Sequence, residues 1–285
     1  MTENPGVSEW SAARGEKWVA QLAGMEATLK PVDEPLIRAL RLDGPYRICE
    51  IGCGGGGTTL AILCQAQAGS AVHGFDISPA LIHLARTREG SDHQGSDHRG
   101  LAFDVADMAT VTAPEAYDRL VSRFGVMFFD DPPAAFSNLV QWLAPGGRFA
   151  FAVWGHLADN AWMTTVRDVV AEVVEIASPA PDAPGPFRYG EAENFLVLLK
   201  RAGFDDLQTS NWRGALPIGG GLPAAEAAKF ALASFASFSE LLSAAGGEAF
   251  SDAQRLLTER FARHEHAGIV QLGASVHIVT GARVQ

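Results

Sequence analysis

Basic residues are scarce in this chain. Lys and Arg number 22 against 33 Asp and Glu, a formal net charge of −11 over 285 residues. An acidic surface repels a phosphate backbone, so no nucleic acid is expected as the main partner. Cysteine is scarcer still, at three: Cys49, Cys53 and Cys64. Their spacing matches no zinc pattern, and an odd number crowded into one stretch reads as reduced, intracellular thiols. No run of about 20 apolar residues occurs, so no membrane span is expected. The N-terminus lacks the basic flank and apolar core of a signal peptide. These absences together predict a cytoplasmic protein. What is present is 47% hydrophobic and 19% charged, which suits one large domain, or a core domain with a cap.

One stretch organises the rest: Tyr46-Arg47-Ile48-Cys49-Glu50-Ile51-Gly52-Cys53-Gly54-Gly55-Gly56-Gly57-Thr58-Thr59-Leu60. A short apolar run reads as a buried strand. It breaks into glycines, and a helical run follows from Leu60 to Cys64. Glycine lets a ligand touch the main chain, and a helix start offers free N–H groups and partial positive charge to a carboxylate or phosphate. Two ligand patterns overlap here. Gly52, Gly54 and Gly57 satisfy the G-x-G-x-x-G of dinucleotide binders. Glu50, Gly52, Gly54 and Gly56 satisfy E-x-G-x-G-x-G. Glu50 separates the two, because an anion at the strand end suits a ligand carrying an ammonium and a sulfonium and repels a pyrophosphate.

Further candidates follow in order. Ala71 to Asp76 reads as a second strand ending in an acid. Asp76 lies about 20 residues past the glycines, where an acid accepts hydrogen bonds from ribose hydroxyls. Ser78 and Pro79 then start a helix. Gly90 to Gly100 holds Gly-Ser-Asp-His twice. Asp92, His93, Asp97 and His98 could hold a metal, but without rigid flanks the segment reads as a polar loop, and no metal is expected. Leu101 to Met108 reads as a third strand and its exit. Before the first strand, Trp18, Leu22, Met25 and Leu29 recur at helical spacing, and Glu34 to Arg41 reads as a second helix.

The next block is the most specific. Ala116 to Phe129, containing Ser122-Arg123-Phe124-Gly125-Val126-Met127-Phe128-Phe129, reads as a fourth strand with a glycine break. A helix from Asp131 to Leu143, a Pro145-Gly146-Gly147 turn and a fifth strand, Phe149 to Trp154, follow. With the Glu50 pattern, this block resembles the class I S-adenosylmethionine-dependent methyltransferases, strongly over about residues 46 to 155 and weakly elsewhere.

The resemblance implies a Rossmann-like α/β fold: a mostly parallel seven-stranded sheet, helices on both faces, an antiparallel edge hairpin and helical cap elements. It implies a cofactor site at the strand ends built from Trp18, Glu50, Gly52, Cys53, Gly54, Thr58, Thr59, Asp76, Ile77, Asp107, Met108, Ser122, Arg123 and Phe124. Asp107 would meet the adenine amino group. S-adenosylmethionine is the expected cofactor and S-adenosylhomocysteine its product. His156 is the candidate general base and Tyr189 a candidate substrate contact. Trp10, Trp18, Phe124 and Trp154 are candidates to face a sulfonium through cation–π attraction.

Beyond Trp154, helices are expected over Ala161 to Ile176 and Glu191 to Ala202, with a proline-rich loop from Ser178 to Pro186 between them. Strands are expected over Leu207 to Ile218 and Ala274 to Val284. A helical insertion, about residues 219–270 and helical to about His266, separates those two strands as a cap or oligomerisation element. Residues 1–45 form an expected N-terminal lid and 46–285 the core. The partner expected is a small organic molecule, with room for a homodimer. The alternatives are a protein that binds S-adenosylmethionine for other chemistry, such as cyclisation of the cofactor, and an NAD-dependent oxidoreductase.

Overall fold

The computed structural model describes residues 15–88, 100–176 and 183–284, with side chains from residue 19 onward. Trp10 and the Asp92, His93, Asp97 and His98 segment lie outside the described residues, as does the side chain of Trp18.

Five strands run parallel: β1 (Arg47–Ile51), β2 (Ala71–Asp76), β3 (Leu101–Val105), β4 (Tyr117–Arg123) and β5 (Leu143–Trp154). β8 (Ile269–Arg283) runs antiparallel to both β5 and β6 (Phe204–Pro217), giving the order β3-β2-β1-β4-β5-β8-β6. A two-residue strand, β7 (Glu265–His266), pairs with the start of β8. This is the expected doubly wound sheet with an antiparallel edge hairpin. Parallel strands need crossovers, and the crossovers bring helices onto both faces. Hence Ile48 to Ile51 of β1 are all buried.

The helices are α1 (Gly15–Leu29), α2 (Asp33–Ala39), α3 (Gly57–Gln65), α4 (Pro79–Arg86), α5 (Pro132–Trp142), α6 (Ala161–Val173) and α7 (Ala192–Arg201). The insertion adds α8 (Ala224–Ser234), α9 (Ala236–Ala245) and α10 (Gly247–Ala262). Side-chain caps set several starts. Ser78 Oγ accepts from Leu81 N–H ahead of Pro79, and Asp131 Oδ1 accepts from Ala134 N–H ahead of Pro132. Both are strong helix-start chemistry.

Several boundaries differ from expectation, three of them with a clear local cause. α3 begins at Gly57, three residues early, because Gly56 takes a left-handed φ of +81° and caps it. β5 begins at Leu143, opposite Tyr117; the Pro-Gly-Gly turn then shifts the register before Arg148 meets Arg119. The insertion is not helical to His266. Ala267 and Gly268, at φ of +51° and +78°, reverse the chain so that Glu265 and His266 pair with Val270 and Ile269.

α1 packs against the glycine loop on one side and the insertion on the other. A Cβ on Gly55 would lie 2.4 Å from Leu22 Cδ2, and one on Gly57 would lie 2.8 Å from Glu26 Oε1. Glu26 pairs with Arg88 through two bonds of 3.1 and 2.8 Å. On its other side, a Cβ on Gly24 would lie 2.4 Å from the Phe230 ring of α8, and Thr28 Oγ1 accepts from Gly219 N–H at 2.8 Å. Two elements far apart in sequence thus meet over one loop. The Gly24→Leu variant should undock α1 from α8. Limited proteolysis should cut inside residues 15–29 faster than in the parent, while the melting temperature of the sheet changes little; unchanged cleavage would show that this contact does not hold α1.

Candidate active site

The glycine loop leaves β1 and crosses the end of β2. Gly52 and Cys53 N–H groups donate to Phe75 O at 2.8 and 3.0 Å. Gly52 sits at φ +68°, and a Cβ there would lie 3.0 Å from Gly125 Cα, so the loop and the end of β4 touch backbone to backbone. Gly54, at φ +55°, is different: a Cβ there would meet nothing within 4 Å. Its N–H donates to Asp76 Oδ2 at 2.9 Å, and Ser78 N–H donates to Asp76 Oδ1 at 2.9 Å. Each carboxylate oxygen keeps lone-pair capacity for a further donor. Burial pushes the Asp76 carboxyl up, while these backbone donors hold it down.

Glu50 is not the open anion expected from the sequence. It is 1% exposed and accepts a short hydrogen bond from the Thr59 hydroxyl of α3. Desolvation pushes its pKa up to about 8, against Thr59 and the charge of Arg123. Its direct task is to pin α3 to β1. Thr58 Oγ1 donates to Asp33 Oδ1 at 3.1 Å, and Arg123 Nη1 donates to the same oxygen at 2.9 Å. Asp33 was not among the expected residues. It reads in sequence only as an acid in the first turn of a short helix, and its partners are 25 and 90 residues away. Cys53 corrects in another way. Its side chain is buried with Ile82, Ala85 and Phe103 beneath the loop, where burial raises its thiol pKa, so only its backbone lines the loop.

The remaining strand ends converge. Ser122 Oγ donates to Ile51 O at 2.8 Å and accepts from Gly125 N–H at 3.2 Å, tying β4 to β1. Phe124, at φ +67°, stacks on Trp154 with centroids 4.1 Å apart and planes 9° from parallel. Asp107 Oδ1 accepts from Ala109 N–H at 3.0 Å and Oδ2 from Thr110 Oγ1 at 3.1 Å. Met108 is buried, and its carbonyl accepts from Asn138. Ile77 is half-buried beside Asp76.

The two candidate catalytic residues stand apart from this group. The His156 side chain is 60% exposed, Nδ1 accepts from Ala158 N–H at 3.2 Å, and Nε2 lies 3.8 Å from Glu191 Oε1. It lines a recess of about 370 Å³ with Asn211 and His277. Strand alternation puts Asn211 and His277 on the sheet face opposite Trp154. Tyr189 is buried, stacked on Phe195 at 4.1 Å and 14°, and burial pushes its phenol up to about 12. A phenol held there packs in the core, and this packing gives its expected substrate contact no support.

With this geometry in place, the chain can be set beside known proteins. A family profile described as a methyltransferase domain matches residues 25–209. The chain belongs to the class I S-adenosylmethionine-dependent methyltransferases. It is 27% identical to methyltransferase GfsG of Streptomyces halstedii over 179 residues, covering 62% of this chain and 59% of that one. It is 32% identical to trans-aconitate 2-methyltransferase of Methylobacterium radiotolerans over 130 residues, 46% of each chain. The matched region therefore spans about half the length of these curated relatives. In fold it resembles the YcgJ protein of Bacillus subtilis, with a TM-score of 0.57 at 13% identity, over 89% of this chain and 98% of that one. The [4+2]-cyclase SpnF shares the fold with a TM-score of 0.53 at 16% identity, over 89% and 81%.

The residues of this chain fit S-adenosylmethionine. Gly54 leaves room beside a two-oxygen acceptor suited to a ribose diol. The N-terminus of α3 suits a carboxylate. Phe124 and Trp154 are buried and stacked on each other, with Trp162 packed against Trp154, so their first task is packing at the strand ends.

Two outcomes follow from the loop. Gly56→Ala should cost about 2–5 kcal/mol, since it adds left-handed strain to a Cβ packed 2.6 Å from Phe103 Cζ. Gly54→Ala should cost only about 1–2 kcal/mol, yet weaken S-adenosylhomocysteine binding more than Gly56→Ala does per unit of stability lost. Denaturant titration and calorimetry on both variants check the contrast.

Glu50 gives a pH signature. Its folded pKa, about 8, lies above its ordinary 4.5. Between those values the folded state holds a proton that the unfolded state has lost, so Glu50 makes stability fall as pH rises across that window. Glu50→Gln should remove that slope, so urea midpoints measured at intervals from about pH 5 to 8 should decline less in the variant than in the parent.

Proposed function

We propose that this chain transfers the methyl group of S-adenosylmethionine to a small organic acceptor. The observation that carries the reading is the Asp76 clamp beside the open side of Gly54. The cofactor supplies a methyl group already activated on a sulfonium, so alignment and exclusion of water are the protein's main tasks. Asp76 would hold the ribose, the amides at the start of α3 the carboxylate, and Asp107 with the Met108 backbone the adenine. Ser122 and Arg123 keep the ends of β1, β4 and α2 in register. α1 would act as the lid, since it packs on the loop with the insertion docked on its other side, and closure there keeps water from the reacting atoms.

The acceptor side points away from nucleic acid. The net charge is −11, and Trp154, Trp162, Phe187 and Phe235 form a run of rings beyond the end of β5. Such walls suit a small, partly apolar molecule. No helix among the described residues is long and apolar enough to cross a membrane, and the reduced cysteines support a cytoplasmic setting. His156, exposed and facing a separate recess, is not positioned as an obligatory base, so orientation supplies most of the rate.

Isothermal titration should show heat with S-adenosylhomocysteine and none with NAD. Asp76→Ala should weaken that binding about tenfold or more, the loss of charge-assisted hydrogen bonds worth roughly 1.5–3 kcal/mol. His156→Ala should lower turnover far less than the ~10²–10⁴-fold of a lost general base. Heat with NAD alone would overturn the reading.

A further inference from the structure

Two opposite charges from distant elements meet directly on the glycine loop. Glu26 of α1 accepts from Arg88, just past the end of α4, through bonds of 3.1 and 2.8 Å. The Arg88 and Glu26 side chains are 27% and 21% exposed, so the pair is sheltered yet still open to solvent. A Cβ on Gly57, the first residue of α3, would lie 2.8 Å from Glu26 Oε1 and 3.2 Å from Arg88 Nη1. One on Gly55 would lie 3.1 Å from Glu26 Oε1. An anion and a cation thus stand side by side on the loop, a few positions beyond Gly54 and its Asp76 clamp.

α1 has other anchors besides this pair. Leu22 packs on Gly55, the Phe230 ring packs on Gly24, and Thr28 accepts from Gly219 N–H. A second ion pair beside the start of α3, Arg123 with Asp33, lies deeper, at 11% and 14% exposed, and Asp33 also accepts from Thr58. Of the two pairs, Glu26–Arg88 is therefore the more accessible to a ligand on the loop.

The amino-acid end of S-adenosylmethionine carries an ammonium and a carboxylate on one carbon. Such a zwitterion can replace one ion pair by two, its carboxylate going to Arg88 beside the α3 amides and its ammonium to Glu26. No charge is then left without a partner. A pyrophosphate has no cation to offer. It could take Arg88 only by leaving Glu26 stranded next to further negative charge, and a sheltered charge deprived of its partner is costly. The sequence places this discrimination on Glu50, but Glu50 is buried against Thr59. Glu26 is the acid that stands over the loop.

We infer that Glu26 and Arg88 read the amino-acid end of the cofactor, Glu26 receiving its α-ammonium and Arg88 its α-carboxylate. The inference rests on the methyltransferase reading above.

The test is calorimetry on the full chain with three ligands. S-adenosylhomocysteine has both charged groups, its decarboxylated analogue keeps only the ammonium, and 5′-methylthioadenosine has neither. Glu26→Gln should weaken S-adenosylhomocysteine and the decarboxylated analogue about tenfold each, the loss of a charge-assisted hydrogen bond. Arg88→Gln should weaken S-adenosylhomocysteine about tenfold and the decarboxylated analogue by less than about twofold. Both variants should bind 5′-methylthioadenosine as the parent does. A latch that merely holds α1 in place would lower all three affinities in parallel, and that result overturns the inference. So does S-adenosylhomocysteine affinity unchanged in either variant, or an Arg88→Gln loss that is equal with and without the carboxylate. If S-adenosylhomocysteine fails to bind the parent protein, the methyltransferase reading itself falls.

Discussion

The hold of Asp76 on the glycine loop is the constraint on which the rest of the site depends. Its two oxygens take one N–H from Gly54 and one from Ser78, so a single carboxylate fixes both the loop and the start of α4. Because both donors are backbone groups, no side chain is spent on the clamp and the carboxylate keeps acceptor capacity for a ligand. The loop can pass so close only because of its glycines. A Cβ at Gly52 would press on Gly125, and one at Gly56 would enter Phe103. Gly54 alone opens on space, and that asymmetry separates a folding role from a binding role within six residues.

Around the clamp, acids withdrawn from solvent act as struts. Glu50 pins α3 through Thr59, and Asp33 gathers Thr58 and Arg123. Burial raises the pKa of both acids, so each is a cost to the fold that its partners offset. Buried ionisable groups retained in this way are more plausible as registry devices than as sources of stability. Here they set where α2, α3 and β4 stand relative to the loop. Above them, α1 joins the loop to the insertion, so the elements that cover the crevice are coupled through Glu26, Gly24 and Thr28.

Much of this was legible in the sequence wherever the signal was local. The strand–glycine–helix order and the Asp76 position follow from period, turn chemistry and spacing, while the edge hairpin was implied by the family resemblance that the Ser122-to-Phe129 segment carries. What failed was not local. Glu50 carries the right pattern, but spacing cannot say whether a carboxylate faces a ligand or the underside of a helix. Tyr189 follows Arg188 in a loop-like stretch, and its burial is decided by Phe195 of the helix that follows it and by Phe136 of the distant α5. Asp33 has no motif at all; its partners come from α3 and β4, so only the fold assembles them. Ala267-Gly268 shows the same limit for boundaries, since the reversal there depends on two left-handed residues within an otherwise helix-like composition.

Hydrogen–deuterium exchange with and without S-adenosylhomocysteine tests directly whether the cofactor lies on the glycine loop under α1 and not in the open recess beside His156. Exchange should slow over residues 52–59, 76–78 and 107–109, with α1 slowed alongside them. Protection confined to residues 156–159 and 190–193, with the glycine loop unchanged, would contradict that placement.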